Sequence, residues 1–352
     1  MSRAASVSFR DVSKFYGSVG AVRGVSFEVE AGTLVTLLGP SGCGKTTTLR
    51  LVAGLELATS GAILIGDEDV TRLGAADRDV SMVFQSYALF PHMNVLDNVM
   101  YGPLASGAKR TEAEAMAREK LALVGLKGFE ERLPAEMSGG QQQRVAVARA
   151  IVLEPRVLLF DEPLSNLDAK LRRKVRDDIR DLQQRLGLTV LYVTHDQEEA
   201  LAVSDKVIVM DNAVIAQEGT PEDLYERPQS RFLADFIGEA NLIEGEFRRS
   251  EAGTVFMAGS TPLALGSFAP PPGADMIALR PDRIGLAPAP DGLLAISRRA
   301  YLGHAWEYTL DAPWGEVLVL APALLPPLPK GEKVDIVIDS RAVIALTSSP
   351  RS

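Results

Sequence analysis

Apolar and polar positions change period along this chain. Residues 7–12 and 22–30 alternate (Val7, Phe9; Val22, Val25, Phe27, Val29), the period of short strands with one buried face. Ala31-Gly32 makes a turn, and residues 33–38 form a compact apolar run ending in Gly39-Pro40, the pattern of a buried strand. Residues 47–53 read as a helix, as do residues 110–125, rich in Ala, Glu, Lys and Arg, and residues 138–153. Residues 157–160 and 189–193 predict two more buried strands, and residues 207–210 and 213–217 a hairpin around Asp211-Asn212. Strands alternating with helices predict an α/β core on a mainly parallel sheet.

After about residue 240 the helix-length patterns stop. Short apolar segments take over at 276–279, 293–297, 307–310, 316–320 and 333–338, separated by turn-rich pieces such as Pro270-Pro271-Pro272-Gly273 and Pro326-Pro327-Leu328-Pro329. This predicts an all-β module, a small barrel, with the boundary near Phe236-Ile237-Gly238.

Composition narrows the function. The chain has 352 residues, enough for more than one structural unit, and 46% hydrophobic with 24% charged residues suits a packed core. A net charge of −9 argues against broad nucleic-acid binding, which needs a basic face. One cysteine leaves no internal disulfide, and three unclustered histidines make no zinc site. No signal peptide is expected from residues 1–5, and no stretch approaches the ~20 apolar residues of a spanning helix. A cytoplasmic chain, held at a membrane only by a partner, is expected.

Three segments carry chemistry. Gly39-Pro40-Ser41-Gly42-Cys43-Gly44-Lys45-Thr46 fits G-x-x-x-x-G-K-[ST] between a predicted strand and helix. Gly39, Gly42 and Gly44 let the backbone curl so that N–H groups, Thr47's turn included, face a phosphate at the helix start. Lys45 brings full charge to the β/γ oxygens, and the Thr46 hydroxyl suits Mg²⁺. Alone, the loop says only that a nucleoside triphosphate binds. Asp161-Glu162 ends a buried strand; read as an active pair rather than an acidic turn, Asp161 supports Mg²⁺ and Glu162 acts as general base on water. Ser138-Gly139-Gly140-Gln141 opens a helix with Ser138 as its natural cap, a second anion-binding helix end without a lysine. The two glycine clusters suggest one nucleotide clasped by two subunits.

The ordered set resembles the nucleotide-binding subunits of ABC transporters. It comprises the phosphate loop, Gln85 after Val83-Phe84, Met137-Ser138-Gly139-Gly140-Gln141 (the family most often has Leu first), Asp161-Glu162, Asp168 after Ser165-Asn166-Leu167, and Thr194-His195-Asp196. The match covers roughly residues 6–238. It implies a P-loop NTPase cassette over 1–238, with a helical subdomain about 86–155, and a C-terminal all-β oligonucleotide-fold-like module over 239–352. It further implies that Tyr16 stacks on adenine, that Gln85 touches Mg²⁺ and the lytic water, that His195 contacts the γ-phosphate and orients Glu162, and that Asp168 lies in a loop crossing the dimer interface. Residues 86–93 look like those of sugar, polyamine and ferric-ion importer ATPases, where this region docks the coupling helices of membrane permease subunits. The stretches 236–241 and Leu279-Arg280-Pro281-Asp282 resemble landmarks of that group's tail, with Asp282 where Glu is usual.

The resemblance therefore implies a homodimer on the cytoplasmic face of the membrane. It hydrolyses ATP with Mg²⁺ to power solute import, and it meets a solute-binding protein only indirectly. Polyamine, ferric ion or phosphonate are favoured as cargo, with a sugar importer as the alternative in the same group. A soluble nucleic-acid or ribosome ATPase is disfavoured by the single cassette, an exporter by the tail, and a non-catalytic module by Lys45, Glu162 and His195. Cys43, at a helix N-terminus, is either a reactive thiol whose alkylation blocks hydrolysis, with ATP protecting, or a merely tolerated small residue.

Overall fold

The computed structural model describes residues 4–251 and 253–348; the outermost residues of both expected units lie outside them. The chain divides into two compact units, residues 1–221 and 222–352. In chain order the first unit opens with β1 (Val7–Tyr16), β2 (Val19–Val29), β3 (Leu34–Leu38), α1 (Lys45–Ala53), β4 (Ser60–Ile65), β5 (Glu68–Asp69) and β6 (Val80–Val83). Then come α2 (Val95–Ala105), α3 (Arg110–Leu123), α4 (Gly139–Ile151), β7 (Val157–Asp161), α5 (Ala169–Leu186) and β8 (Thr189–Thr194). It closes with α6 (Gln197–Val203), β9 (Lys206–Asp211) and β10 (Val214–Gly219). One sheet is antiparallel, in the order β2-β1-β4-β5; the other runs β10-β9-β3-β8-β7-β6, parallel except at the β9–β10 hairpin.

The continuous apolar runs of β3, β7 and β8 are explained by burial on both faces of the parallel sheet. Because side chains alternate along a strand, Val35, Leu37, Val157, Leu159, Leu191 and Val193 face the core shared with α1 and the antiparallel sheet. Leu34, Leu158, Phe160, Val190 and Tyr192 face the opposite core, with Val147 and Ile151 of α4 and Val175 and Ile179 of α5. Each such fully buried side chain contributes about 1.5–3 kcal/mol. A third cluster gathers α2, α3 and α4 around Val99, Ala117, Leu121 and Val145. It lies within the stretch expected as a helical subdomain. The layers fix the ends of β3, β6, β7 and β8, where the chemistry-bearing residues sit.

Among its described residues the second unit is all-β apart from α7 (Pro221–Glu226), whose first residue closes the first unit, α8 (Arg231–Phe236) and single 3-10 turns. Its strands form two three-stranded sheets and a five-stranded sheet in the order Ile284–Pro288, Lys333–Ile338, Leu294–Tyr301, Ala305–Ala312, Gly315–Pro322. The two edge strands of the last approach each other, so the sheet curls toward a barrel. The division between the units falls earlier than the boundary read near residue 238. The cause is Arg280, fully buried in the β unit. Its Nη1 donates to Ala234 O at 2.7 Å and its Nη2 to Tyr225 O at 2.7 Å, while the guanidinium lies 4.3 Å from the Tyr225 ring. Arg283 also pairs with Glu226. These bonds attach α7 and α8 to the β unit, although their composition matches the helices before them.

Candidate functional site

The phosphate loop leaves β3 and enters α1 at Lys45. Gly44 caps the helix at φ 108°, and a Cβ there would lie 2.4 Å from Ala21 O. Gly39, at φ 155°, has even less room: a Cβ would meet Met210 O at 2.2 Å. Glycine is therefore required at both positions by space as well as by backbone angle. No side chain caps α1 and no acidic residue occupies its first turn, so its leading N–H groups and positive dipole end suit an anion. Lys45 is almost fully buried, and its ammonium donates to Gly39 O at 2.6 Å and Pro40 O at 2.8 Å. Ser41 and Gly42 are exposed, and Thr47 is half-buried. Cys43 is buried with its sulfur 3.7 Å from the Lys45 ammonium, and it joins the apolar core. Only its backbone is placed to meet a phosphate, and a thiol this enclosed is a poor target for alkylation.

Thr46 Oγ1 lies 3.5 Å from Asp161 Oδ1 at the end of β7. Burial pushes the Asp161 carboxyl up; Arg50's charge opposes this and Glu162's adds to it. Next along the chain, Glu162 adopts φ 45°, left-handed for a residue with a Cβ, held by its N–H donating to Val193 O at 3.0 Å. That turn brings Glu162 Oε2 to 3.0 Å from His195 Nδ1 at the end of β8. Gln85, just after β6, donates through Nε2 to Ser165 Oγ at 3.1 Å, and Ser165 Oγ donates to Glu162 O at 3.0 Å. Asn166 closes the link by donating to Gln85 O at 3.0 Å. Ser165 and Asn166 were not among the expected site residues, although they lie inside a quoted motif.

The loop after Gln85 is strongly shaped. Tyr87 and Ala88 both have positive φ, and Arg149 donates to both of their carbonyls, at 2.9 and 2.8 Å. Asn98, buried, accepts from Phe90 N–H and donates to the carbonyls of Phe90, Met93 and Asn94. A charged and an amide side chain thus hold residues 87–94 in one shape while Phe84 and Ala88 stay exposed.

The second glycine cluster begins α4. Ser138 is its N-cap, and Gln141 Oε1 accepts from Ser138 N–H at 3.0 Å, so this glutamine serves its own helix. Cβ atoms on Gly139 and Gly140 would press on Leu167 (3.1 Å) and Leu171 (2.9 Å), so these glycines permit close packing against the start of α5. Asp168 caps α5, its Oδ1 accepting from Leu171 N–H at 3.0 Å. Tyr16, at the end of β1, is about half exposed with the Lys14 ammonium 4.9 Å from its ring. Among the described residues no hydrogen bond joins residues 138–141 or Tyr16 to residues 39–47.

The structure therefore brings together the loop, Lys45, Thr46–Asp161 and Glu162–His195 beyond the strand ends, and leaves the Ser138 helix end on a different element. Among the described residues no group of three or more His, Cys, Asp or Glu is placed to hold a metal ion. Thr46 and Asp161 are hard oxygen donors that match Mg²⁺, an ion that takes few protein ligands and shares substrate phosphates.

The ABC transporter family matches residues 22–165 and the TOBE domain residues 277–346. The chain is 56% identical over 345 residues to the Fe(3+) ions import ATP-binding protein FbpC of Brucella abortus (strain 2308), covering 97% of this chain and 98% of that one. It is 49% identical over 315 residues to the protein of the same name from Escherichia coli (strain K12), covering 89% of each. The dimeric, post-hydrolysis structure of the ATP-binding cassette MJ0796 bound to ADP and Pi resembles it with a TM-score of 0.55 at 30% identity, over 61% of this chain and 98% of that chain. Identity of this order, sustained over almost the full length of two proteins, makes the chain a member of the ABC transporter family, an ATP-hydrolysing cassette followed by a TOBE domain.

Proposed function

We propose that two copies of this chain clasp two ATP molecules head to tail, and that hydrolysis powers ferric-ion import through separate membrane subunits. The observation that carries the catalytic reading is the 3.0 Å contact between Glu162 Oε2 and His195 Nδ1, at adjacent strand ends beyond the phosphate loop. In this reading Lys45 exchanges the carbonyls of Gly39 and Pro40 for phosphate oxygens, alongside the N–H groups of residues 42–47. Glu162 accepts a proton from the attacking water, and His195 holds the Glu162 carboxylate in line. Gln85, tied through Ser165 to the Glu162 carbonyl, reports the state of this carboxylate to the 87–94 loop. Thr46 and Asp161, with Gln85 near, would hold Mg²⁺, which supplies charge neutralisation on the phosphates. Tyr16 offers an exposed ring face for the adenine.

The second half of each site comes from the partner copy, which offers the Ser138 hydroxyl and the N–H groups of Gly139 and Gly140 at a helix start. Gln141 and Asp168 act by shaping those helix ends. ATP then bridges two surfaces that ADP and phosphate release, so the nucleotide binds the closed dimer more tightly than the open one. Ferric ion as cargo is supported by the names of relatives 49–56% identical over nearly all of their length. Among the described residues no helix is long and apolar enough to cross a membrane, in keeping with a chain docked on permease subunits through residues 85–93 at the cytoplasmic face. The TOBE unit is read as a dimer-stabilising or regulatory module.

The test is phosphate release and light scattering on wild-type and Glu162→Gln chains with Mg-ATP. The expected result is a rate reduced about 10²–10⁴-fold in the variant, which is trapped as an ATP-dependent dimer. Hydrolysis at the wild-type rate by Glu162→Gln, or an association state indifferent to ATP, overturns the reading. For the cargo, deletion of the gene should abolish cellular uptake of labelled ferric ion and leave uptake of a labelled sugar unchanged; the converse assigns the sugar branch.

A further inference from the structure

Glu199 and Arg172 lie outside every motif discussed above, yet they surround the turn that carries His195. Glu199 is buried on the first turn of α6. Its Oε2 accepts from the Thr194 hydroxyl at 2.8 Å and from the Tyr192 hydroxyl at 3.3 Å. Thr194 Oγ1 in turn accepts from Asp196 N–H at 3.0 Å, and Asp196 Oδ1 accepts from Glu199 N–H at 3.1 Å. The residues on both sides of His195 are thereby fixed through one carboxylate. His195 itself is largely exposed, and among the described residues its ring hydrogen-bonds to Glu162 alone. Its direction is therefore set by its backbone.

The network continues beyond the turn. Arg172, on the first turns of α5, donates through Nη1 to Asp196 Oδ2 at 3.2 Å and has Nε 3.7 Å from Glu199 Oε1. Its Nη2 donates to Leu167 O at 3.2 Å, the carbonyl just before Asp168. A single guanidinium thus bridges the His195 turn and the loop that packs under Gly139 and Gly140. Burial pushes the Glu199 carboxyl up, Thr194's hydrogen bond opposes this, and Arg172 lends further opposing charge. Holding a buried carboxylate here is costly unless its donors and cation are all in place.

We propose that Glu199 and Arg172 are positioning residues for ATP hydrolysis: they set the His195 ring against Glu162 and couple that turn to the loop ending at Asp168. The inference rests on the reading of His195 above and adds the part of the chain that aims it. Small displacements of a positioned group cost large factors in rate, up to about 10²-fold for about 1 Å, while substrate binding by the phosphate loop is untouched.

The experiment is a double-mutant cycle in ATP hydrolysis with wild type, Glu199→Gln, His195→Ala and the double variant, single turnovers being used for slow chains. Glu199→Gln is expected to lower kcat about 10-fold or more with KM for ATP within about twofold, and to have no further effect once His195 is Ala. An equal loss in both backgrounds means that Glu199 acts independently of His195 and overturns the proposal, as does an unchanged kcat in Glu199→Gln. If Glu199→Gln does not fold, Arg172→Gln, on the more exposed α5 flank, enters the same cycle with the same expectations. A His195→Ala chain that hydrolyses at the wild-type rate removes the role given to His195, and this inference with it. That failure is distinguishable because it appears without any change at Glu199.

Discussion

Replacing Arg280 by Ala is expected to weaken the β unit and spare the cassette. The two bonds from its guanidinium to Tyr225 O and Ala234 O, each at 2.7 Å, contribute about 1.5–3 kcal/mol apiece as charge-assisted contacts. Its position 4.3 Å from the Tyr225 ring adds about 1–2 kcal/mol. Against this, truncation removes a fully buried cation whose desolvation costs several kcal/mol. The balance is a loss of about 3 kcal/mol, mostly from two carbonyls left without donors. For a unit of this size that lowers Tm by about 10 °C. Arg280→Lys keeps the charge but reaches one carbonyl, so about half the loss is expected. The assay is built into the chain: its two tryptophans, Trp306 and Trp314, both lie in the β unit, whereas α1 to α6 lie in the first. Tryptophan fluorescence should therefore report the early transition, and far-UV dichroism of the helices should keep the wild-type midpoint. A fluorescence midpoint unmoved by Arg280→Ala, or a shift of the helical transition instead, refutes the assignment of α7 and α8 to the β unit.

Three further outcomes concern the first unit, two of them at the site. Asp161→Asn should raise the thermal stability of the nucleotide-free protein while abolishing Mg²⁺-supported hydrolysis. Because burial raises this carboxyl's folded pKa, its ionised form is a cost, absent below the unfolded value of about 3.9 and growing as pH rises; equal Tm values at pH 7.5 contradict this. Gly44→Ala combines φ 108° with a contact at 2.4 Å from Ala21 O and should raise the Kd for a fluorescent ATP analogue more than about tenfold; an unchanged Kd contradicts the fitted-loop argument. Asp205, which accepts from Leu34 N–H and pairs with Arg180, is pushed up by burial but pulled lower overall by those partners. Its contribution is present above pH about 4 and lost as pH falls through the lower folded value. Urea unfolding should thus show Asp205→Ala about 1 kcal/mol weaker at pH 7, the pair being partly exposed, with the gap closing in acid; a gap that persists contradicts the linkage.

How much was legible in the sequence depended on the kind of signal. Segments 33–38, 157–160 and 189–193 were readable because two-sided burial makes an uninterrupted apolar run, and the glycine loops because backbone angle and space leave one residue type. α5 was not read, although it is the longest helix: its sequence is dominated by Arg, Lys and Asp, and only Val175, Ile179 and Gln183 form a buried stripe. β6 escaped because its four residues are mostly half-buried and carry no turn signal before Gln85. α2 was hidden by Gly102 and Pro103 near its end. Of the site, the residue types at each strand end were legible, but the contacts among them were not. Ser165 acts through a hydroxyl, and Glu199 sits in an acidic stretch that reads as solvated surface. Only its neighbours in space, Thr194, Tyr192 and Arg172, reveal its burial.

The left-handed backbone at Glu162 sets a direction for laboratory evolution. A residue with a Cβ at φ 45° carries about 1 kcal/mol of conformational cost, and the half-buried carboxyl of Asp161 beside it adds more. Gly or Asn at Glu162 would relieve the first and Asn at Asp161 the second. A screen of random libraries for heat resistance alone should therefore enrich these two adjacent codons early, and the survivors should bind nucleotide without turning it over.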